Sequence, residues 1–152
     1  MLAEAYLAGA RELEVGLVGN GLADLAVLGP GEVFPGHEFY DYHAKYDAGV
    51  SRTTATPDLD ERVRTTIREQ AAAAYLAVGA SGFARVDFLF HGGRIYLSEI
   101  NTIPGFTPIS LFPLVWATGG GDFADLAERI VELAVARAAG RPRARLTRAD
   151  LP

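Results

Sequence analysis

Gly82-Phe83-Ala84-Arg85-Val86-Asp87-Phe88-Leu89-Phe90, followed by His91-Gly92-Gly93-Arg94 and then Ile95-Tyr96-Leu97-Ser98-Glu99-Ile100-Asn101, is the stretch that decides the fold. Side chains two apart on a strand share a face. Ala84, Val86, Phe88 and Phe90 therefore form an apolar face, with Arg85, Asp87 and Leu89 on the other. The alternation predicts strands over 83–90 and 95–101, joined by the glycine pair as an antiparallel hairpin. A three-residue turn, Gly92-Gly93-Arg94, pairs His91 with Ile95, Asp87 with Glu99 and Arg85 with Asn101. A two-residue turn shifts the register by one and breaks that match. In the matched register one face carries two carboxylates, an amide oxygen and a guanidinium above Leu89 and Leu97.

Like charges directly opposite on a sheet destabilise it unless something compensates. A divalent cation compensates, and hard oxygen donors without histidine or cysteine suit Mg²⁺. The alternative for the same residues is an ion pair in which Arg85 neutralises the carboxylates. Asn101 and the loop after it favour the cation. That loop, Asn101-Thr102-Ile103-Pro104-Gly105-Phe106-Thr107-Pro108, brings a glycine amide beside the carboxylates and leads into a helix start at Ser110-Leu111. Exposed amides at a helix start bind carboxylates or phosphates.

Outward from this centre, residues 13–18 and 24–28 are short apolar runs split by Gly19-Asn20-Gly21, and Asn-Gly signals a hairpin. Residues 33–42 are aromatic and follow a Gly-Pro-Gly turn, so they extend the sheet. Residues 44–57 have no period and are expected to form a loop. Asp58 and Glu61 read as a capping box, and Gly79 as the far end of a helix with Val63, Ile67, Ala71, Ala74 and Val78 inward. A last helix over 122–139, stopped by Gly140, turns Phe123, Leu126, Ile130, Leu133 and Ala134 inward. Mixed elements with antiparallel neighbours predict an α+β class, an antiparallel sheet flanked by helices. Residues 1–140 are expected to form one domain and 141–152 a solvated basic tail.

The chain has 152 residues, 49% of them hydrophobic, enough for a core without disulfides or metal staples. With no cysteine, thiolate zinc sites and cysteine nucleophiles are excluded. The net charge of −5 argues against nucleic acid as a partner. Without a basic leader or a long apolar run, no membrane association is expected, and the cytoplasm is the expected compartment. His37, His43 and His91 show no metal-ligand spacing and receive no role.

The string Ser98-Glu99-Ile100-Asn101-Thr102-Ile103-Pro104-Gly105-Phe106-Thr107-Pro108-Ile109-Ser110-Leu111 resembles the signature of D-alanine–D-alanine ligases of the ATP-grasp superfamily. So do Gly82-Phe83-Ala84-Arg85-Val86-Asp87 and Glu38-Phe39-Tyr40-Asp41-Tyr42-His43-Ala44-Lys45-Tyr46. The start, from Glu4 through Gly9-Ala10-Arg11-Glu12, is similar to that family's hinge between the two sheets that grip ATP. These four ordered blocks cover nearly the whole chain up to the last helix.

The resemblance implies the ATP-grasp C-terminal subdomain and an ATP-dependent ligation of two D-alanines through an acyl phosphate, for peptidoglycan precursors. It implies ATP and Mg²⁺ (or Mn²⁺) as cofactors, with the metal on Asp87, Glu99 and Asn101. By the same carry-over Lys45 approaches the phosphates, Glu4 takes the adenine amino group beside backbone at Tyr6 and Leu7, and Glu12 binds ribose. Arg85 and the Gly105 amide stabilise the oxyanion, and Ser110 with the Leu111 amide holds the second substrate's carboxylate. Tyr46 is the loop tyrosine that goes with D-alanine as second substrate. Ser98 departs from the pattern, which has an apolar residue there.

Met1 falls just before the hinge, so the resemblance implies a partial enzyme. Its missing first half would bind the first D-alanine, and the chain would associate with that half or form a homodimer. Two other readings remain: a piece of another ATP-grasp carboxylate–amine ligase, or a nucleotide-binding remnant without catalysis.

Overall fold

Strict alternation builds the centre of the sheet. The structure, a computed structural model, describes residues 4–34 and 52–140. Strands β1 (Arg11–Gly19), β2 (Ala26–Phe34), β3 (Arg52–Thr54), β4 (Gly82–His91) and β5 (Arg94–Asn101) form one sheet in the order β3-β2-β1-β4-β5. Every neighbouring pair is antiparallel. Helices α1 (Glu61–Ala77), α2 (Leu111–Ala117) and α3 (Phe123–Ala139) flank it. The expected α+β class and antiparallel sheet are present.

One face is packed by α1. Leu13, Val15 and Leu17 of β1 and Ala84, Val86 and Phe88 of β4 are buried against Ile67, Ala71 and Tyr75. Each large side chain buried this way contributes roughly 1.5–3 kcal/mol, so this layer dominates the stability of the fold. The Tyr75 hydroxyl donates to the Gly19 carbonyl at 2.8 Å, and burial pushes the phenol up to about 12.

The second face is covered over only part of its length. Phe112 of α2 and Leu126 and Leu133 of α3 pack on Val18, with Phe83, Phe106 and Ile130 half-buried beside them. The approach is close because two strand residues are glycine. A Cβ at Gly31 would meet the Leu111 side chain at 2.8 Å, and one at Gly16 the Phe112 ring at 3.0 Å. The helices thus fill the Val18–Phe83 end, and at the other end stand Glu12 and Leu89, both half-buried.

Several sequence expectations need correction. The β4–β5 turn has two residues, Gly92 and Gly93, both at positive φ, with His91 opposite Arg94. The one-residue shift this introduces is undone by a bulge. Phe88 pairs with Leu97 and Asp87 with Glu99, so Ser98 is the extra residue. The expected Asp87–Glu99 and Arg85–Asn101 pairs are therefore present by a different route. Leu97 instead stands opposite Phe88, and Tyr96 takes its expected place opposite Leu89. A bulge also answers the Ser98 departure, because the inserted position is exposed and needs no apolar side chain.

Gly29-Pro30-Gly31 is no turn; it lies inside β2, at an irregularity between Glu14 and Gly16 of β1. Arg68 of α1 donates to the Gly29 carbonyl at 2.7 Å there. The β1–β2 connection spans residues 20–25, wider than an Asn-Gly turn, and Asp24 closes it by accepting from the Asn20 and Gly21 amides. Residues 52–54, expected in a loop, pair with β2 as β3. Three residues are too few to show a period.

Helix α1 is capped by Asp60, which accepts from the Arg62 amide, and not by a box from Asp58. Its inward stripe runs through Tyr75, while Val78 is exposed. On α3, Leu126 and Leu133 are buried, but Phe123 and Ala134 are exposed. Asp122 and Asp125 cap α3 reciprocally. The expected continuation of the sheet beyond Phe34, most of the loop, and the basic tail lie outside the described residues. Among the described residues no helix is long and apolar enough to cross a membrane.

Candidate functional site

The other half of the second face carries the charges. Residues 12, 14 and 16 of β1 alternate with the buried Leu13, Val15 and Leu17, so they share this face. Glu12 pairs with Leu89, Glu14 with Asp87 and Gly16 with Arg85. On the other side Asp87 pairs with Glu99 and Arg85 with Asn101. A row of three carboxylates, Glu14–Asp87–Glu99, thus crosses three strands, with Arg85 and Asn101 in the next row and Glu12 beyond.

Arg85 holds the row together. Its Nε and Nη2 each donate to an Asp87 carboxylate oxygen at 2.6 Å, and Nε lies 3.4 Å from Glu14 Oε2. Burial works against the guanidinium charge. The hydrogen bond to Asp87 and the charges of Glu14, Asp87 and Glu99 outweigh it and raise the pKa above the ordinary arginine value. The ion pair that sequence left as an alternative is therefore present.

The donor set nevertheless fits a hard divalent cation. Asp87 and Glu99 are cross-strand neighbours, and such pairs have Cβ atoms about 4.5–5.5 Å apart. Among the described residues no three His, Cys, Asp or Glu side chains form a ready-made cage. Two carboxylates and an amide oxygen leave coordination positions for phosphate and water, which is how Mg²⁺ is usually held.

Glu12 bears the cost of its burial beside the acidic row. Burial first, and the Asp87 charge second, raise its carboxyl above the usual value. A raised carboxyl contributes stability that is present below its unfolded pKa and lost as pH rises through the folded one. Glu12→Gln is therefore expected to raise the unfolding temperature at about pH 7, and to lose that gain near about pH 4. Thermal scans of both proteins at the two pH values check this; an equal gain at both would mean the charge is not the cause.

The loop after β5 is pinned from two sides. Asn101 Oδ1 accepts from the Ile103 amide at 3.0 Å, and Phe106 packs on Phe83, Phe112 and Phe123. The Ser110 hydroxyl accepts from the Thr107 amide at 3.1 Å and lies 2.8 Å from the Thr107 hydroxyl. Gly105 sits against it, so that a Cβ there would lie 3.2 Å from Ser110 Oγ. Leu111 follows, its side chain buried over Gly31. Glu4 and Tyr6 are exposed on the lead-in to β1, and Leu7 accepts from the Ala10 amide at the turn into it.

Arg85, Asp87, Glu99, Asn101 and Glu12 are thus brought together, with Gly105 and Ser110 on the adjoining loop. Lys45 and Tyr46 lie outside the described residues. Sequence reasoning gave Glu14 no role. The available signal was its spacing of two from Glu12.

The chain matches the family model described as D-ala D-ala ligase C-terminus over residues 1–132. A D-alanine–D-alanine ligase of Geobacillus thermodenitrificans is 44% identical over 128 residues, 84% of this chain and 35% of that protein. The D-alanine–D-alanine ligase structure from Coxiella burnetii superposes with a TM-score of 0.76 at 34% identity, covering 90% of this chain and 34% of that one. A Bacillus anthracis D-alanine–D-alanine ligase complexed with ATP gives 0.71 at 27% identity, covering 90% and 43%. The chain spans about a third of the length of the curated relatives it matches.

Proposed function

Because the chain belongs to the family of D-ala D-ala ligase C-terminal domains, we propose that it supplies the ATP- and cation-holding part of a ligase joining two D-alanines. The observation that carries this reading is the Glu14–Asp87–Glu99 row, with Arg85 and Asn101 beside it, on the charged half of the sheet's second face. Like charges opposite one another destabilise a sheet, and the single guanidinium of Arg85 offsets only part of the charge of three carboxylates.

A carboxylate is a poor electrophile, so the first D-alanine is phosphorylated by ATP before the amine of the second attacks. Phosphate then leaves, and the amine's proton passes to solvent or a base. Phosphoryl transfer is mostly positioning and charge neutralisation. Asp87, Glu99 and Asn101 would hold Mg²⁺ (or Mn²⁺), which would supply neutralisation of the phosphate charge. Glu4, with backbone at Tyr6 and Leu7, selects adenine, Glu12 takes the ribose hydroxyls, and Lys45 reaches the phosphates. Arg85 and the Gly105 amide stabilise the oxyanion, and loss of one such donor typically costs about 10²–10³ in rate. Ser110 and the Leu111 amide fix the second D-alanine's carboxylate, and Tyr46 is the tyrosine that goes with D-alanine as that second substrate.

Residues 1–140 act as one nucleotide-binding domain, with 141–152 as a tail, in a cytoplasmic enzyme making peptidoglycan precursors. The first D-alanine is held by a region corresponding to the relatives' first half, joined covalently or by association.

ADP release and Mg-ATP titration calorimetry test this. The folded chain is expected to bind Mg-ATP, and D-alanine to stimulate ADP release once the part of a relative preceding the matched segment is supplied. A folded chain that takes up no Mg-ATP overturns the reading.

A further inference from the structure

We infer that Thr107 is a positioning residue for the second D-alanine: its hydroxyl donates to Ser110, which leaves the Ser110 hydrogen for the substrate's carboxylate. The inference rests on the role proposed for Ser110 and deepens it.

Ser110 is the N-cap residue of α2. A serine there ordinarily accepts from an amide at the second or third helical position. Ser110 makes no such bond. The third position is Pro113, which has no N–H to give. The hydroxyl turns back to Thr107 instead, whose amide donates to Ser110 Oγ at 3.1 Å and whose own hydroxyl lies at 2.8 Å. The turn itself is closed by backbone, the Ser110 amide donating to the Thr107 carbonyl at 2.9 Å. The contact between the two hydroxyls is therefore not needed to hold the loop.

A serine hydroxyl has one hydrogen and two lone pairs. The Thr107 amide, which can only donate, takes one lone pair. The contact between the hydroxyls then runs in one of two directions. If Ser110 donates, its hydrogen is spent on Thr107. If Thr107 donates, both Ser110 lone pairs are filled and its hydrogen is available to an acceptor. An ionised carboxylate only accepts, so its arrival selects the second direction. Accepting two bonds also polarises the Ser110 O–H and strengthens it as a donor. Gly105 keeps a side chain off this hydroxyl, since a Cβ there would lie 3.2 Å from Ser110 Oγ.

The KM for the second D-alanine tests this, read from ADP release by the chain supplied with the part of a relative that precedes the matched segment. Thr107→Val keeps the branched shape and the donating amide. It is expected to raise that KM about fivefold and leave kcat within about twofold, the pattern of binding lost equally from ground and transition states. Thr107→Ser, which restores the hydroxyl, is expected to bring the KM back to within about twofold of the unmodified chain. Ser110→Ala is expected to raise it about tenfold, and adding Thr107→Val to that variant to change it less than about twofold, because two residues acting through one contact are non-additive.

An unchanged KM in Thr107→Val overturns the inference and leaves the ligase reading standing. So does a rise that Thr107→Ser does not reverse, or one that persists in the Ser110→Ala background. An unchanged KM in Ser110→Ala overturns the role proposed for Ser110 together with this inference. Mg-ATP uptake with no D-alanine-stimulated ADP release overturns the ligase reading, and the inference with it.

Discussion

Asp87→Ala is expected to abolish the Mg²⁺-dependent part of ATP binding, with a loss above about 100-fold. Partners that merely orient a metal's ligands cost roughly 10–100-fold when removed, and a direct ligand is expected to exceed that. Asp87 is the middle of the acidic row, paired with Glu14 on one side and Glu99 on the other. No neighbour replaces it without moving across a strand. Calorimetric titration with ATP, with and without Mg²⁺, separates this loss from general weakening, because binding in the absence of Mg²⁺ should change little.

Folding is the necessary control, since Asp87 also neutralises a half-buried guanidinium. Glu14 lies 3.4 Å from Arg85 and takes over that task, so the variant is expected to remain folded. Asp87→Asn preserves the side-chain shape and is expected to show the same loss. Mg-ATP binding equal to the unmodified chain would remove Asp87 from the cation site and leave it the structural ion pair that sequence alone allowed.

How much of this site was legible depends on how far apart its partners lie in sequence. Arg85, Asp87, Glu99 and Asn101 sit on one hairpin, and a period of two places them on a common face whatever the rest of the chain does. Even there, the turn was misread as three residues. The pairing survived because the bulge at Ser98 restores what the two-residue turn removes. Bulges leave no reliable trace in a single sequence, since they answer to twist and packing.

Glu14 was only half legible, for a different reason: its spacing of two from Glu12 gives the shared face but not the neighbours. Its neighbours, Arg85 and Asp87, come from a strand more than seventy residues later, and nothing local announces that β1 lies beside β4. Tyr75 was displaced by Ala74 in the expected stripe because residues 71–76 are apolar all round that helix, which blurs its period. The Gly-Pro-Gly stretch read as a turn on composition. It is strand, because Gly31 is where Leu111 needs room, a requirement visible only once α2 is in place.

Arg11→Met is expected to destabilise the fold by about 3 kcal/mol. Glu32 is only 3% exposed, on the α1 side of β2, opposite Leu13. Its two oxygens accept from Arg11 Nε and Nη2, each at 2.7 Å. That hydrogen-bonded pairing, more than the nearby charges, raises the Arg11 pKa above the ordinary value. Removing the guanidinium leaves a carboxylate without its partner in a place water hardly reaches. The figure belongs at the lower end of what breaking buried pairs costs, because the Arg11 side chain is 35% exposed. Removing the other partner is expected to be milder: in Glu32→Leu the long Arg11 side chain swings its head to solvent. The double variant Arg11→Met/Glu32→Leu is expected to come back to within about 1 kcal/mol of the unmodified chain, since apolar replacements of a buried pair are often neutral. Chemical denaturation of the three variants, with an unchanged slope, checks the order. A double variant no better than Arg11→Met would assign the cost to lost packing of the arginine stem. The distinction reaches the site, because Arg11 directly precedes Glu12. The pair that anchors β1 to β2 also fixes the strand from which Glu12 and Glu14 face Asp87.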